Sequence, residues 1–363
     1  MGVGVTSSGR YVISSHHDGD LIQWHIANRE NKKVQGDVNI YSAERVPGRD
    51  AYLWQDLSDE VHVRTFTGEK ITEFEAPTPA YSHAISSDLE SYLLSDKGWR
   101  LHHRTSDKQF RKIKEGEPGT LVGLGKPLNI DLDETGRVAS IAGFGAYYHQ
   151  EGLTIEAEAS DGYQRFDGVA VWDLDAGEPT HNLKGNAAKT HASLSPNGNH
   201  VIAVDENGKA FWWRLSSGER QILSSVGRGV YVFAPEGSND LGHFDDSGLH
   251  LDPDRDIPEG FEKTARIGVH FVSSKHFITL YHNNPYAAVY KLGDPYARAI
   301  VNLGTDPFPS VDRYSRNEAI DSAPEANLLV TGQRSGGGIN VYRFDPEELT
   351  LEKVWAPTPS SLW

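Results

Sequence analysis

The chain has no cysteine in 363 residues. Disulfides, thiolate metal sites, a cysteine nucleophile and lipid attachment through an N-terminal cysteine are therefore excluded within it. Apolar residues make up only 37% and mean hydropathy is −0.51, and no membrane span is visible. The opening Met1-Gly2-Val3-Gly4-Val5-Thr6 lacks the basic region and apolar run of a secretory signal. The compartment stays open between cytoplasm and periplasm. Basic residues are also scarce: 35 Lys and Arg stand against 51 Asp and Glu, a net charge of −16 with pI near 5.4. Such a surface argues against nucleic acid and anionic membranes. It suits a basic partner, or simply keeps the chain in solution. No long stretch carries a helical period. Catalytic signatures are missing as well. No Gly-x-Ser-x-Gly elbow occurs, and the Gly-rich run from Gly332 to Gly338 lacks the Lys-Ser/Thr of a phosphate loop. That run reads as a hairpin turn before Ile339-Asn340-Val341-Tyr342.

What the chain has is glycine, 36 residues in all, and a repeat. Ser14-Ser15-His16-His17-Asp18-Gly19-Asp20-Leu21-Ile22-Gln23-Trp24 is a polar turn followed by an apolar strand closing on an aromatic residue. Val204-Asp205-Glu206-Asn207-Gly208-Lys209-Ala210-Phe211-Trp212-Trp213 repeats the design. Aligned on that closing position, Trp24, Arg64, His103, Trp172, Trp213, Asp252, Tyr290 and Tyr342 recur at 38–41 residues, with two wider gaps of 69 and 52. An earlier turn precedes several of them by fifteen residues, as Gly9 precedes Trp24 and Gly198 precedes Trp213. Two turns at fixed offsets imply three strands joined by two hairpins. A fourth strand follows, as in 69–75, 108–114, 219–224 and 349–354. Arg10-Tyr11-Val12-Ile13 and Gly168-Val169-Ala170-Val171-Trp172 alternate as half-buried strands do. A period near 40 residues points to an all-β propeller of four-stranded antiparallel blades in one domain over 1–363. The unit at Asp252 decides between eight blades and seven. Asp252-Pro253-Asp254 is a poor interior strand, because proline cannot donate a ladder hydrogen bond, so seven is favoured. The end, Trp355-Ala356-Pro357-Thr358-Pro359, echoes Glu75-Ala76-Pro77-Thr78-Pro79, which leads into another blade. The two ends are therefore expected to meet and close the ring, unless an N-terminal extension is missing.

Thr190-His191-Ala192-Ser193-Leu194-Ser195-Pro196-Asn197-Gly198 with Phe211-Trp212-Trp213-Arg214-Leu215 resembles a WD40 repeat. So do Val169-Ala170-Val171-Trp172-Asp173-Leu174 and the 14–24 stretch. The resemblance is to divergent, bacterial-type WD40-like chains. It implies an interaction scaffold that binds protein or peptide without catalysis, as a monomer with no cofactor. WD40 repeats usually place a Gly-His pair before the first strand, whose His joins a buried network with the turn Asp. Asp18 stands where that Asp belongs, but no such pair does. The polar network is expected to be absent, with packing alone holding the blades.

Two insertions break the period. The first, 143–168, falls between the second and third strands of one unit and carries Tyr147, Tyr148, Tyr163 and Phe166 among acidic residues. Aromatic residues on such a loop suit a protein-binding surface. The alternative is a loop folded back with its rings buried. The second, 236–262, holds nine acidic residues against Arg255 alone. Within it Asp252, Asp254 and Asp256 occupy alternate positions, as in a calcium loop, with Glu259 following. Ile257 stands where that loop needs glycine and Lys263 where it needs Glu, so the match is partial. A solvated acidic loop is the default, and calcium the alternative. Turns between second and third strands share a face with the connections between blades, so both insertions are expected on one face. Two rival readings remain. One is a metal-assisted hydrolase with carboxylates at the channel mouth, the other a calcium-stabilised structural propeller. His16-His17-Asp18 could mark a metal-dependent phosphohydrolase, but it sits in a repeat turn and reads as structural. His102 and His103 alternate across a strand and cannot chelate one ion together.

Overall fold

The computed structural model describes residues 2–16, 19–36, 43–96, 101–112, 121–124, 127–143, 146–149, 163–166, 168–184, 189–205, 209–223, 231–233, 241–243, 266–281, 286–303, 320–332 and 338–357. They form seven four-stranded antiparallel sheets, each from a contiguous stretch of chain. Blade 1 is Gly2–Val5, Tyr11–Ser15, Leu21–His25 and Glu30–Gln35; blade 2 is Glu44–Arg45, Ala51–Gln55, Glu60–Thr65 and Lys70–Glu75. Blade 3 is Ala80–Ile85, Tyr92–Asp96, Leu101–Arg104 and Phe110–Lys112; blade 4 is Pro127–Leu132, Val138–Gly143, Gly168–Asp173 and Glu178–Lys184. Blade 5 is Lys189–Leu194, His200–Asp205, Ala210–Arg214 and Glu219–Leu223. Blade 6 is Arg266–Phe271, His276–Tyr281, Tyr286–Lys291 and Ala297–Asn302; blade 7 is Ile320–Ala323, Leu328–Gly332, Ile339–Asp345 and Thr350–Trp355. Among the described residues the one helical turn is a 3-10 turn at Pro324–Ala326.

Seven of the eight repeat markers occupy one register position. Each sits in its blade's third strand, with Trp24 opposite Val12, Arg64 opposite Tyr52, His103 opposite Leu93 and Trp172 opposite Ala139. Trp213, Tyr290 and Tyr342 face Val201, Phe277 and Leu329 in the same way. The eighth, Asp252, lies outside the described residues. Between blades 5 and 6 the described strands are only Tyr231–Phe233 paired with Leu241–His243. The ring has seven blades.

The core is seven seams, one between each pair of neighbouring blades. This corrects the half-buried reading of the strands. In blade 5, Val201 and Ala203 enter the seam with blade 4, while Ile202 and Val204 enter the seam with blade 6. Alternation divides side chains between two apolar seams and not between core and water, so His276–Tyr281 and Leu328–Gly332 are buried throughout. Sheets covered on both faces carry such continuous runs. Fourth strands lie at the perimeter, and Glu30–Gln35 has no buried residue. Trp172, Trp213, Tyr290 and Tyr342 each fill the seam with the preceding blade.

Ring closure follows the same rule. Trp24 lies in the seam joining blade 1 to blade 7, with Val5, Val330 and Val341. Trp355 meets Trp24 edge-on at 6.2 Å between ring centroids. The tail beyond it turns back on its own blade, since Ile339 N–H donates to the Pro357 carbonyl at 3.2 Å. Among the described residues no sheet draws strands from both blades. The expectation that polar networks are missing needs correction in blade 1. Trp24 Nε1–H donates to Ser14 Oγ at 2.8 Å, and Ser14 Oγ lies 2.8 Å from His16 Nε2. The histidine comes from the residue after the second strand, and not from a segment before the first. In blade 3, His103 Nε2 lies 2.6 Å from Ser91 Oγ, both buried.

Candidate binding face and the polar centre of the ring

The first insertion joins the second and third strands of blade 4. Its strands Ala146–His149 and Tyr163–Phe166 pair with each other, and Ala146–His149 pairs also with Leu121–Leu124. Leu121–Leu124 belongs to the connection between blades 3 and 4. A turn of one kind and a connection of the other thus share a three-stranded sheet, which puts them on one face of the ring. The connection from blade 5 to blade 6, which carries the second insertion, leaves from the same face by topology. Tyr147 sits opposite Val122 and Arg165, Tyr148 opposite Leu121 and Gln164, Tyr163 opposite His149 and Phe166 opposite Ala146. Asp252, Asp254, Asp256 and Glu259 lie outside the described residues. Of the histidines, His16 belongs to the Trp24 network, while His17 and Asp18 lie outside the described residues. His103 is buried and His102 half-buried, on opposite faces of the same strand.

The opposite face carries the turns between first and second strands, and these bond to one another. Ser8 and Arg10 of blade 1 reach Asp50 of blade 2, Arg49 reaches the Ser87 carbonyl of blade 3, and Ser87 Oγ donates to the Thr135 carbonyl of blade 4. Glu134 N–H continues to the Pro196 carbonyl of blade 5 at 3.0 Å. Gly136 has φ +68°, and a Cβ there would lie 2.3 Å from Ser87 N, so only glycine lets these two turns approach.

At this end an ion cluster crosses the channel. Arg45 Nη1 of blade 2 lies 2.9 Å from Glu134 Oε1 of blade 4, and its Nε lies 3.7 Å from Asp321 Oδ2 of blade 7. Ser7 of blade 1 also donates to Glu134. Blades 1 and 4 are not neighbours, so this contact spans the ring. Asp321 Oδ2 accepts Val5 N–H at 2.7 Å, and Asp131 Oδ2 accepts Leu194 N–H at 2.9 Å. A cavity of about 20 Å³, room for about one water molecule, is lined by Arg45, Asp131, Glu134, Ser193, His270 and Asp321. Burial works against the Arg45 charge, but Glu134, Asp321 and Asp131 outweigh it and hold the guanidinium ionised. Burial raises the Asp131 carboxyl and pushes Asp321 up to about 7, against the pull of Arg45. Burial also pushes His270 down to about 3, which keeps it neutral.

The Asp321 shift sets a pH dependence. Its carboxyl binds a proton more readily in the folded chain than in the unfolded one, where it titrates near 3.9. Its contribution to stability is therefore full below about pH 4 and is lost as pH rises through about 7. Asp321→Asn is expected to flatten the fall in melting temperature between pH 4 and pH 7, while still accepting from Val5. Parallel wild-type and variant profiles would overturn this.

Fold and faces together define a seven-bladed β-propeller. The chain is similar to the β-propeller domain of Cps50 (Swd1) from Myceliophteria thermophila, with TM-score 0.57 and 11% identity over 94% of each chain. It is also similar to Hsv2 from Kluyvelomyces marxianus, with TM-score 0.53 and 9% identity over 98% of this chain and 97% of that one. No protein-family model and no curated protein matches the chain. At such identities the likeness is one of fold alone.

Sequence reading missed the Arg45 cluster, whose members are scattered along the chain. Only the position of Arg45 at the end of a first strand was a signal, since first strands line the channel.

Proposed function

We propose that the protein is a non-enzymatic interaction propeller that binds a protein or peptide on the face bearing the two insertions. One observation carries this reading: the added sheet of Leu121–Leu124, Ala146–His149 and Tyr163–Phe166 builds out that face and no other blade has its like among the described residues. The contact residues of this reading are Tyr147, Tyr148 and Tyr163, whose side chains supply area and a hydrogen bond together, with Phe166 adding apolar area. The acidic segment around Asp252 adds a preference for a basic partner. The opposite end of the channel is occupied by paired side chains, which directs a ligand to the insertion face.

The test replaces 144–166 by a short Gly-Ser turn and compares cross-linked partners with those of wild type. An Arg10→Ala variant on the opposite face serves as control, and circular dichroism confirms that both variants fold. The expected result is loss of a specific partner in the first variant only. A partner list unchanged by the replacement sinks the reading.

A further inference from the structure

Among the described residues one group of three offers ligand atoms all within 4.8 Å of one another: Asp56, Glu60 and His62 of blade 2. Asp56 opens the turn between the second and third strands, and Glu60 and His62 begin the third. The group therefore lies on the insertion face. Its parts are held from behind. Asp56 Oδ1 accepts Ser58 N–H at 2.9 Å, Ser58 Oγ–H at 2.7 Å and Glu60 N–H at 3.0 Å, which leaves Oδ2 for the site. The His62 ring stacks on Trp54 at 4.8 Å and 18°. Its Nδ1 lies 3.1 Å from Glu73 Oε1. Arg64 and Lys70 also bond to the Glu73 carboxylate and hold it in place behind the ring.

With Nδ1 turned to Glu73, Nε2 is the ring nitrogen presented to the other two groups. That nitrogen faces Asp56 Oδ2 at 2.9 Å and Glu60 Oε2 at 3.9 Å. His62 Nε2, Asp56 Oδ2 and a Glu60 oxygen thus converge closely enough to share one ion. A carboxylate behind a ligating histidine is the usual support of a metal site, because it fixes the ring and raises its basicity.

We propose that Asp56, Glu60 and His62 bind a divalent first-row transition metal, with His62 Nε2 and one oxygen from each carboxylate as ligands and Glu73 as the supporting carboxylate. The imidazole disfavours calcium and magnesium, which take all-oxygen sets, and suits zinc, while the two carboxylates admit manganese as well. Three protein ligands leave further positions open. The side chains of Asp56, Glu60 and His62 are 23%, 45% and 15% exposed, so those positions reach solvent. This proposal is independent of the partner-binding reading.

The experiment is calorimetric titration of EDTA-treated full-length protein with zinc and, separately, manganese. One equivalent is expected to bind to wild type. Affinity is expected to fall at least about tenfold in His62→Ala and Asp56→Asn, and about 10–100-fold in Glu73→Gln, which removes support without removing a ligand. Glu60→Gln, at the most exposed of the three, covers the case in which the others fail to fold. Calcium in excess is expected not to compete. Wild type binding neither metal, or binding that survives unchanged in the folded His62 and Glu60 variants, overturns the proposal.

Discussion

Replacing Arg45 by alanine is expected to lower the unfolding free energy by about 3–5 kcal/mol at pH 8, the range for stranding a buried charge partner. The guanidinium faces Glu134, Asp321 and Asp131, and its loss leaves three carboxylates around a cavity with no cation. Urea unfolding followed by circular dichroism measures the loss. Two further results identify its cause. At pH 5 the loss should shrink, because Asp321 takes up a proton below about 7. Adding Asp321→Asn to Arg45→Ala should restore part of the stability at pH 8, because one stranded charge is gone. Equal losses at both pH values, with no recovery in the double variant, would show that Arg45 acts by packing alone.

The second large effect is expected at the closing seam. Trp24 is fully buried between blades 1 and 7. Trp24→Ala should cost about 3–5 kcal/mol through the cavity it leaves. Trp24→Phe keeps an aromatic ring in the seam but removes the Nε1–H donated to Ser14, and should cost less, on the order of 1 kcal/mol for the hydrogen bond plus the smaller ring's lost contact. The same urea titration separates them. If Trp24→Ala proved as mild as a surface substitution, the blade 1–blade 7 seam would not be what holds the ring closed.

Both effects fall on groups of different legibility. Trp24, Trp172 and Trp213 were readable because an aromatic residue returned in phase with a polar turn. The fold followed from that phase. The turns between third and fourth strands were harder to read. Each blade places one residue there with positive φ, but in blades 1, 3 and 7 it is Arg29, Lys108 and Leu349. No residue type signals a left-handed turn at those points, so the period looked weaker than the structure is. The strands were misread as half-buried because alternation was taken to mean core and water, when here it separates two seams. The Trp24–Ser14–His16 chain escaped notice because its histidine comes from an unexpected place in the repeat. Arg45, Glu134 and Asp321 meet only when the ring closes, and no local pattern announces that. Asp56, Glu60 and His62 are different: they fall within seven residues, which is a local signal.

Among the described residues every blade is built from its own stretch of sequence, interrupted only by the insertion in blade 4, and none borrows a strand from a neighbour. The blade is therefore also a unit of inheritance and of engineering. Severing the chain between two blades leaves seven intact sheets, each with its own ladder, and breaks only a connection. Two such pieces carry complementary apolar faces and can reassemble by burying them, as two proteins do at an interface. A ring built this way can gain, lose or exchange a whole blade by a single recombination event, and what limits such changes is the polar knot at its centre, which ties together side chains of blades 1, 2, 4 and 7.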